Sequence, residues 1–355
     1  MLLDVRNLTI TGQSEHGPVD VVDRVSFSVA EGEVHSLVGE SGSGKSLIAS
    51  AIMGFLDPRW QVRADRLWFD GKDLLSMSKQ QRRKIIGVDI AMIFQDPRSY
   101  LDPNDTIEAQ LAEAILTEDL DAKHWWSRRS ERRQKVIQLL HRVGIKEHQQ
   151  VMESFPFEIS EGVAQKVMIA SAIAHRPRLL IADEPTTAME PATRAQIYRL
   201  LGRFHASHKM SILLMSQDMG TIMPESQRLT MLYSGQIMES GPTEALLKEP
   251  FHPYTKAITS TSLYQQSQCQ PKTHLPTLPG ASPPMQHLPI GCRLGPRCPN
   301  ARRQCVVTPS IQKFRAHVYA CHYPLNSAGK EQGLKRSDIV RAEVDSDTEQ
   351  EHDND

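Results

Sequence analysis

Eight residues constrain this chain more than any others: Gly39-Glu40-Ser41-Gly42-Ser43-Gly44-Lys45-Ser46, which fit G-x-x-x-x-G-K-[ST]. The run before them, Val34 to Val38, reads as a buried strand. Leu47 to Phe55 continues as a helix with no breaker before Gly54. In that strand–turn–helix context the residue types have a specific use. Gly42 and Gly44 let the backbone wind tightly enough for its N–H groups to surround an anion. The helix that starts near Lys45 turns its positive end toward the same anion. Lys45 reaches terminal phosphates, and Ser46 offers a hydroxyl to Mg²⁺. The cofactors expected are ATP and Mg²⁺.

A nucleotide site of this kind also needs a carboxylate for the metal. Leu179-Leu180-Ile181-Ala182-Asp183-Glu184 is an apolar strand ending in two acids. Asp183 is expected to hold Mg²⁺ through its water shell, and Glu184 to polarise the attacking water. Further strands are expected at Leu3-Asp4-Val5, Val25 to Val29 and Ile212 to Met215. A helix should run from about Ala192 to His205. Residues 96–176 change to a helical pattern, with Ile107 to Leu116 and Ser130 to Val143 as amphipathic segments. Strand, helix, strand at these spacings predicts an α/β fold with a parallel sheet and crossover helices.

Composition bears mainly on the compartment and the partners. The 355 residues carry a net charge of -1, so no basic field suggests a nucleic-acid partner. The longest apolar stretches are strand-length, well short of the ~20 residues of a membrane span. The start, Met-Leu-Leu-Asp-Val-Arg, has no charged leader followed by an apolar core. The expected compartment is the cytoplasm, with membrane contact only through partner proteins. Trp125-Trp126-Ser127-Arg128-Arg129 could face lipid headgroups, but aromatics packed into a small helical domain are the preferred expectation.

Three further segments carry a family resemblance. Phe94-Gln95-Asp96-Pro97 resembles the Q-loop of ABC transporter ATPases. Ile159-Ser160-Glu161-Gly162-Val163 resembles their LSGGQ signature, and Asp183-Glu184-Pro185-Thr186-Thr187 their extended Walker B segment. The resemblance implies a P-loop NTPase of the ABC type over residues 1–250. That is a RecA-like mixed sheet plus an antiparallel β subdomain and a helical subdomain at about 96–176. It implies that Gln95 senses the γ-phosphate, joins the Mg²⁺ shell and contacts the permease. It also implies two ATPase subunits facing head to tail, so that Ser160 and Gly162 touch the partner's nucleotide. A helix N-terminus with Ser at its start is a sound anion site.

Three positions depart from the family pattern. Glu161 stands where Gly is usual and Val163 where Gln or Met is usual. Gln217 replaces the His of the switch, and this neutral amide donates a hydrogen bond but does not titrate. The loop after the first strand offers His16 where the family stacks an aromatic on adenine; a solvated loop residue is its preferred role. Gln217 motivates the expectation of slow turnover.

Beyond about Pro250 the chain changes again. His252-Pro253-Tyr254-Thr255, Leu278-Pro279-Gly280 and Gly291-Cys292-Arg293-Leu294-Gly295-Pro296-Arg297-Cys298-Pro299 resemble the C-terminal extension of oligopeptide and dipeptide importer ATPases. A small irregular region is expected at 251–325. An acidic disordered tail should follow at 326–355, where Glu343, Asp345, Asp347, Glu349, Glu351, Asp353 and Asp355 end the chain. Cys292, Cys298, Cys305 and Cys321 gather in the extension, with Cys269 left over. They read either as four inert thiols or as ligands of an iron–sulfur cluster, the 4Fe–4S type that some dipeptide importer ATPases carry there; zinc comes third because the spacings are wide.

The resemblance implies a complex of two membrane permeases, a sister ABC ATPase and a periplasmic binding protein at the cytoplasmic face of the bacterial inner membrane. The implied cargo is peptides, cationic antimicrobial ones among them. A second reading is a low-turnover nucleotide-binding regulatory subunit supporting polyamine export or potassium uptake. An ABC protein acting on ribosomes or DNA is disfavoured, because the chain has one phosphate loop and no basic tract.

Overall fold

The apolar runs of the sequence become the buried strands of the fold. In the computed structural model of the chain, which describes residues 1–15, 17–116, 120–121, 124–187, 189–266 and 278–325, all five residues of Val34–Val38 and of Leu179–Asp183 are buried. The strands in chain order are β1 (Leu3–Ser14), β2 (Gly17–Val29), β3 (Val34–Val38), β4 (Gln61–Arg63), β5 (Arg66–Phe69), β6 (Lys72–Asp73), β7 (Ile90–Ile93), β8 (Leu179–Asp183), β9 (Ser211–Ser216), β10 (Arg228–Tyr233), β11 (Gln236–Pro242), β12 (Gln312–Phe314) and β13 (His317–Tyr319). The α-helices are α1 (Lys45–Met53), α2 (Lys79–Arg83), α3 (Pro97–Tyr100), α4 (Ile107–Glu113), α5 (Trp125–Arg142), α6 (His148–Glu153), α7 (Glu161–Ala172), α8 (Pro191–His208), α9 (Thr243–Lys248) and α10 (Pro253–Gln266). By contacts the chain divides into two discontinuous units, one built on Phe69–Met215 with Met1–Leu2 and Val29–Glu33, the other on Leu3–Ser28, Val34–Trp68 and the chain from Ser216 on.

The second of these carries the phosphate loop. Its first sheet runs β2-β1-β5, with β4 antiparallel on β1 through Ile10 opposite Val62. Its second sheet runs β12-β13-β11-β10-β3. Here β10 lies parallel to β3, with Met231 opposite Val38, and antiparallel to β11 with a register shift between Met231 and Leu232. The C-terminal extension is therefore more than loop. Its hairpin β12–β13 extends the sheet that holds the phosphate-loop strand, Glu239 of β11 pairing with Tyr319.

In the other unit β7, β8 and β9 are parallel neighbours, with Ile93 opposite Ala182 and Asp183 opposite Met215. Helices α4, α5, α6 and α7 pack on one another. The buried positions of α5 and its cap, Val136, Leu139, Leu140 and Val143, recur at three and four residues, which puts them on one face. The helical pattern over 96–176 is thus met, with bounds shifted. The helix expected from Ser130 starts at Trp125, the one expected to reach Leu116 stops at Glu113, and Ala192–His205 extends to Pro191–His208.

Two expectations are corrected. The strands placed at Leu3–Val5 and Val25–Val29 are 12 and 13 residues long, because their polar residues are carried within the strands, some exposed like Arg6 and Asn7 and some buried like Thr9 and Thr11, rather than ending them. Trp126 is not packed into the helical domain. It is 60% exposed and stacks on His124 at 5.3 Å between centroids; the side chain of Trp125 lies outside the described residues.

Two buried histidines make the phosphate-loop unit sensitive to acid. His35 on β3 contacts the Ser28 carbonyl at 3.0 Å and the Thr230 hydroxyl at 2.9 Å. His252 accepts from the Tyr254 N–H through Nδ1 at 3.1 Å. Burial holds each imidazole down to about 4, from 6.5. Such a group takes up its proton on unfolding between those values, so its contribution is full above about pH 7 and is lost as pH falls through the window. The unfolding free energy from urea titrations should be flat from pH 7 to 8 and drop by roughly 3 kcal/mol per histidine between about pH 6.5 and 4. A His35→Gln, His252→Gln double variant should lose most of that slope, and an unchanged slope would contradict the assignment.

Candidate nucleotide site

The phosphate loop is held by its own lysine. Lys45 is 4% exposed, and its ammonium donates to the carbonyls of Gly39 at 2.7 Å and Glu40 at 3.1 Å and to the Ser43 hydroxyl at 3.3 Å. A buried ammonium must be satisfied in this way, and the loop carbonyls do so. Gly42 and Gly44 have φ of 77° and 102°, so the sequence argument for glycine holds at both. At Gly39 the requirement is space rather than φ, because a Cβ there would run into the Leu232 carbonyl. Ser43 N–H donates back to Glu40 O at 3.1 Å, and helix α1 begins at Lys45 with Gly44 as its cap. Ser41, Gly42 and Ser46 are exposed, leaving the mouth of the loop open on this unit. Gln217 is also exposed. It follows Ser216, whose carbonyl accepts from the Gly39 N–H at 3.1 Å.

In the other unit the sequence-predicted acids come together with the Q-loop glutamine. Asp183 ends β8 and Glu184 follows it, at 4% and 9% exposure. Glu184 Oε2 accepts from Gln95 Nε2 at 3.2 Å and from the Thr187 hydroxyl at 3.0 Å. Glu184 sits at φ 47°, a left-handed conformation that a glutamate adopts at a cost of order 1 kcal/mol, and its N–H donates to Met215 O at 2.9 Å. Within this unit the Asp183 carboxylate and the Gln95 amide oxygen are oxygen donors of the right chemistry for a hard cation.

The signature segment opens α7 as expected. Ser160 is its N-cap, the hydroxyl accepting from the Val163 N–H at 3.4 Å. Gly162 lies close to Thr193, whose Cγ2 would stand 3.3 Å from an added Cβ. Glu161 is exposed in the first turn, where the helix's positive end favours a carboxylate. His16, and with it the adenine-stacking question, lies outside the described residues.

Sequence reasoning missed how the C-terminal extension reaches the loop. Arg297 donates to Glu40 Oε2 at 2.8 Å and to the Tyr233 hydroxyl at 3.2 Å, and Ser282 also donates to Glu40 Oε2. The Tyr254 hydroxyl accepts from the Glu40 N–H at 3.1 Å. Only the type of Glu40, an acid inside a phosphate cradle, hinted that a cation had to be near.

Among the described residues, no group of three or more His, Cys, Asp or Glu is disposed to hold a metal ion. The four extension cysteines are nevertheless gathered. Burial pushes the Cys292 and Cys298 thiols up and Cys321 up to about 12, and the other three cysteines add to the shift of Cys321. Cys292 N–H donates to Cys305 O at 2.9 Å. The four thiols influence one another electrostatically, but as placed they form no metal-holding group among the described residues. Cys269 lies outside the described residues.

A strand feeding a lysine-bearing glycine loop, a second strand ending in buried acids, and a serine-capped signature helix define an ABC-type ATPase. The ABC transporter family model matches residues 22–187, and the model for the oligopeptide/dipeptide transporter C-terminal region matches 238–305. The peptide transport system ATP-binding protein SapD of Salmonella typhimurium is 50% identical over 325 residues, 92% of this chain and 98% of that protein. SapD of Haemophilus influenzae is 46% identical over 92% and 93%. The dipeptide transport ATP-binding protein DppD of Escherichia coli is 40% identical over 93% and 98%. A solved dimer of the ATP-binding cassette MJ0796 in a post-hydrolysis state with ADP and Pi covers 68% of this chain and 98% of its own, at TM-score 0.59 and 22% identity, a likeness of fold. This chain belongs to the ABC transporter ATP-binding family, within its oligopeptide and dipeptide transporter group. It is an ATPase. No helix among the described residues is long and apolar enough to cross a membrane.

Proposed function

We propose that this chain is the ATP-binding and ATP-hydrolysing subunit of an ABC transporter for peptides, cationic antimicrobial peptides among them. It works at the cytoplasmic face of the bacterial inner membrane with two permeases, a sister ABC ATPase and a periplasmic binding protein. The full-length likeness to peptide and dipeptide transport ATP-binding proteins supports the cargo class. The observation that carries the chemistry is the convergence on Glu184, held by Gln95 and Thr187 at the end of a buried strand.

In this reading Gly39 to Ser46 wraps the phosphates, Lys45 leaves its loop carbonyls to meet the terminal phosphates, and Ser46, Asp183 and Gln95 supply oxygens to Mg²⁺. Bound Mg²⁺ neutralises the charge that develops on the transferred phosphoryl group. Glu184 orients and polarises water, and Gln95 releases it when nucleotide and permease draw the glutamine away. Gln217 donates to the γ-phosphate without titrating, which sets a low turnover. Ser160 and Gly162 serve the nucleotide of the sister subunit.

The complex reconstituted with its permeases and sister ATPase should release phosphate. Glu184→Gln should lower the rate contributed by this site about a hundredfold or more, and Gln217→His should raise it. Activity that survives Glu184→Gln removes Glu184 from the assigned role.

The same reading extends to the extension. Cys292, Cys298, Cys305 and Cys321 supply the thiolates for a 4Fe–4S cluster, which would relieve the burden that burial places on their charged forms. Protein prepared without oxygen should be brown and contain about four iron atoms per chain. A colourless, iron-free preparation refutes the cluster.

A further inference from the structure

The phosphate loop of this chain contains an acid, and the extension answers it. Glu40 lies between Gly39 and Ser41, in a loop whose N–H groups are arranged for anions. An uncompensated carboxylate there would oppose a bound triphosphate, since two like charges within a few ångströms repel strongly at a partly buried site. The side chain of Glu40 is 26% exposed and that of its partner Arg297 only 10%. Arg297 is fixed from several directions. Nη1 meets Glu40 Oε2 at 2.8 Å, the Tyr233 hydroxyl at 3.2 Å and the Ser282 hydroxyl at 3.2 Å, Nε donates to Pro279 O at 2.9 Å, and the guanidinium lies over the Tyr233 ring at 5.6 Å. Ser282 gives Glu40 a second donor on the same oxygen.

A neighbouring arginine grips the loop by a second route. Arg293 is 8% exposed and donates to Ser234 O and to Asp20 O. The next residue of that turn, Gly235, donates its N–H to Ser43 O at 2.8 Å. Both arginines come from the single turn Cys292–Cys298.

We propose that Arg297 is a positioning residue of the nucleotide site: it neutralises Glu40 and keeps its carboxylate engaged by the extension, off the phosphates that the loop binds. The segment from Ser282 to Arg297 is then a working part of the ATP site. The proposal rests on the reading of the loop as that site.

The test is titration of the full chain with a fluorescent ribose-labelled ATP and Mg²⁺, with melting curves run alongside. Wild-type protein should bind saturably; if it does not, the reading of the loop fails and the proposal with it. Arg297→Ala should weaken binding by on the order of tenfold, and Arg297→Lys by less. Adding Glu40→Gln to Arg297→Ala should restore binding to within about threefold of Glu40→Gln alone, because the charge that needed an answer is gone. Ser282→Ala, which leaves the arginine in place, should weaken binding by about threefold and be restored in the same way. Wild-type affinity in both Arg297→Ala and Ser282→Ala overturns the proposal. So does a double variant as weak as Arg297→Ala, which would make the arginine a support of the fold alone.

Discussion

The buried ammonium of Lys45 is the constraint on which the site depends. A charge at 4% exposure has to be met by the protein, and the carbonyls of Gly39 and Glu40 meet it only if the loop closes tightly on itself. That closure fixes the positive φ of Gly42 and Gly44 and forbids a side chain at Gly39, which the Leu232 carbonyl approaches. Leu232 sits at the register shift in β10, and the turn after that strand hydrogen-bonds the loop at Ser43. The winding of the loop is therefore joined to the shape of the strand turn beside it, and through Arg293 to the extension. In the proposed function, phosphate oxygens of fuller charge would replace the carbonyls around the ammonium, a stronger set of partners.

The carboxylate of Glu184, proposed above as the group that polarises water, is organised by a different device. Glu184 is placed by a left-handed backbone step at the end of β8 and steadied by two donors, Gln95 and Thr187. The amide and the hydroxyl both donate to the same carboxylate oxygen, which fixes its direction. Glutamine at 217, exposed and without a titrating group, and glutamate at 161, favoured by the helix end, are both compatible with their surroundings. The departures from the family pattern leave the fold around them intact.

The sequence made the parts of the site with local causes legible. A glycine loop between a strand and a helix, an apolar run ending in two acids, and a serine opening a helix all follow from neighbours in the chain, and each is found at its expected place. Helical periodicity over 96–176 was equally plain. What could not be read has long-range causes. Arg297 and Glu40 are separated by 257 residues, and nothing local to Arg297 announces a partner in the loop. The hairpin β12–β13 is three residues on each side, too short for any periodicity, and exists because β11 offers it an edge. The full length of β1 and β2 is not legible locally, because their polar positions resemble turns until the opposite strand is known.

The most direct measurement is calorimetric titration of the full chain with Mg-ATP beside a Lys45→Ala variant whose circular dichroism matches wild type. The account predicts one saturable site per chain in the wild type and its loss, by on the order of a hundredfold in affinity, in the variant. Equal binding by the two proteins would contradict it.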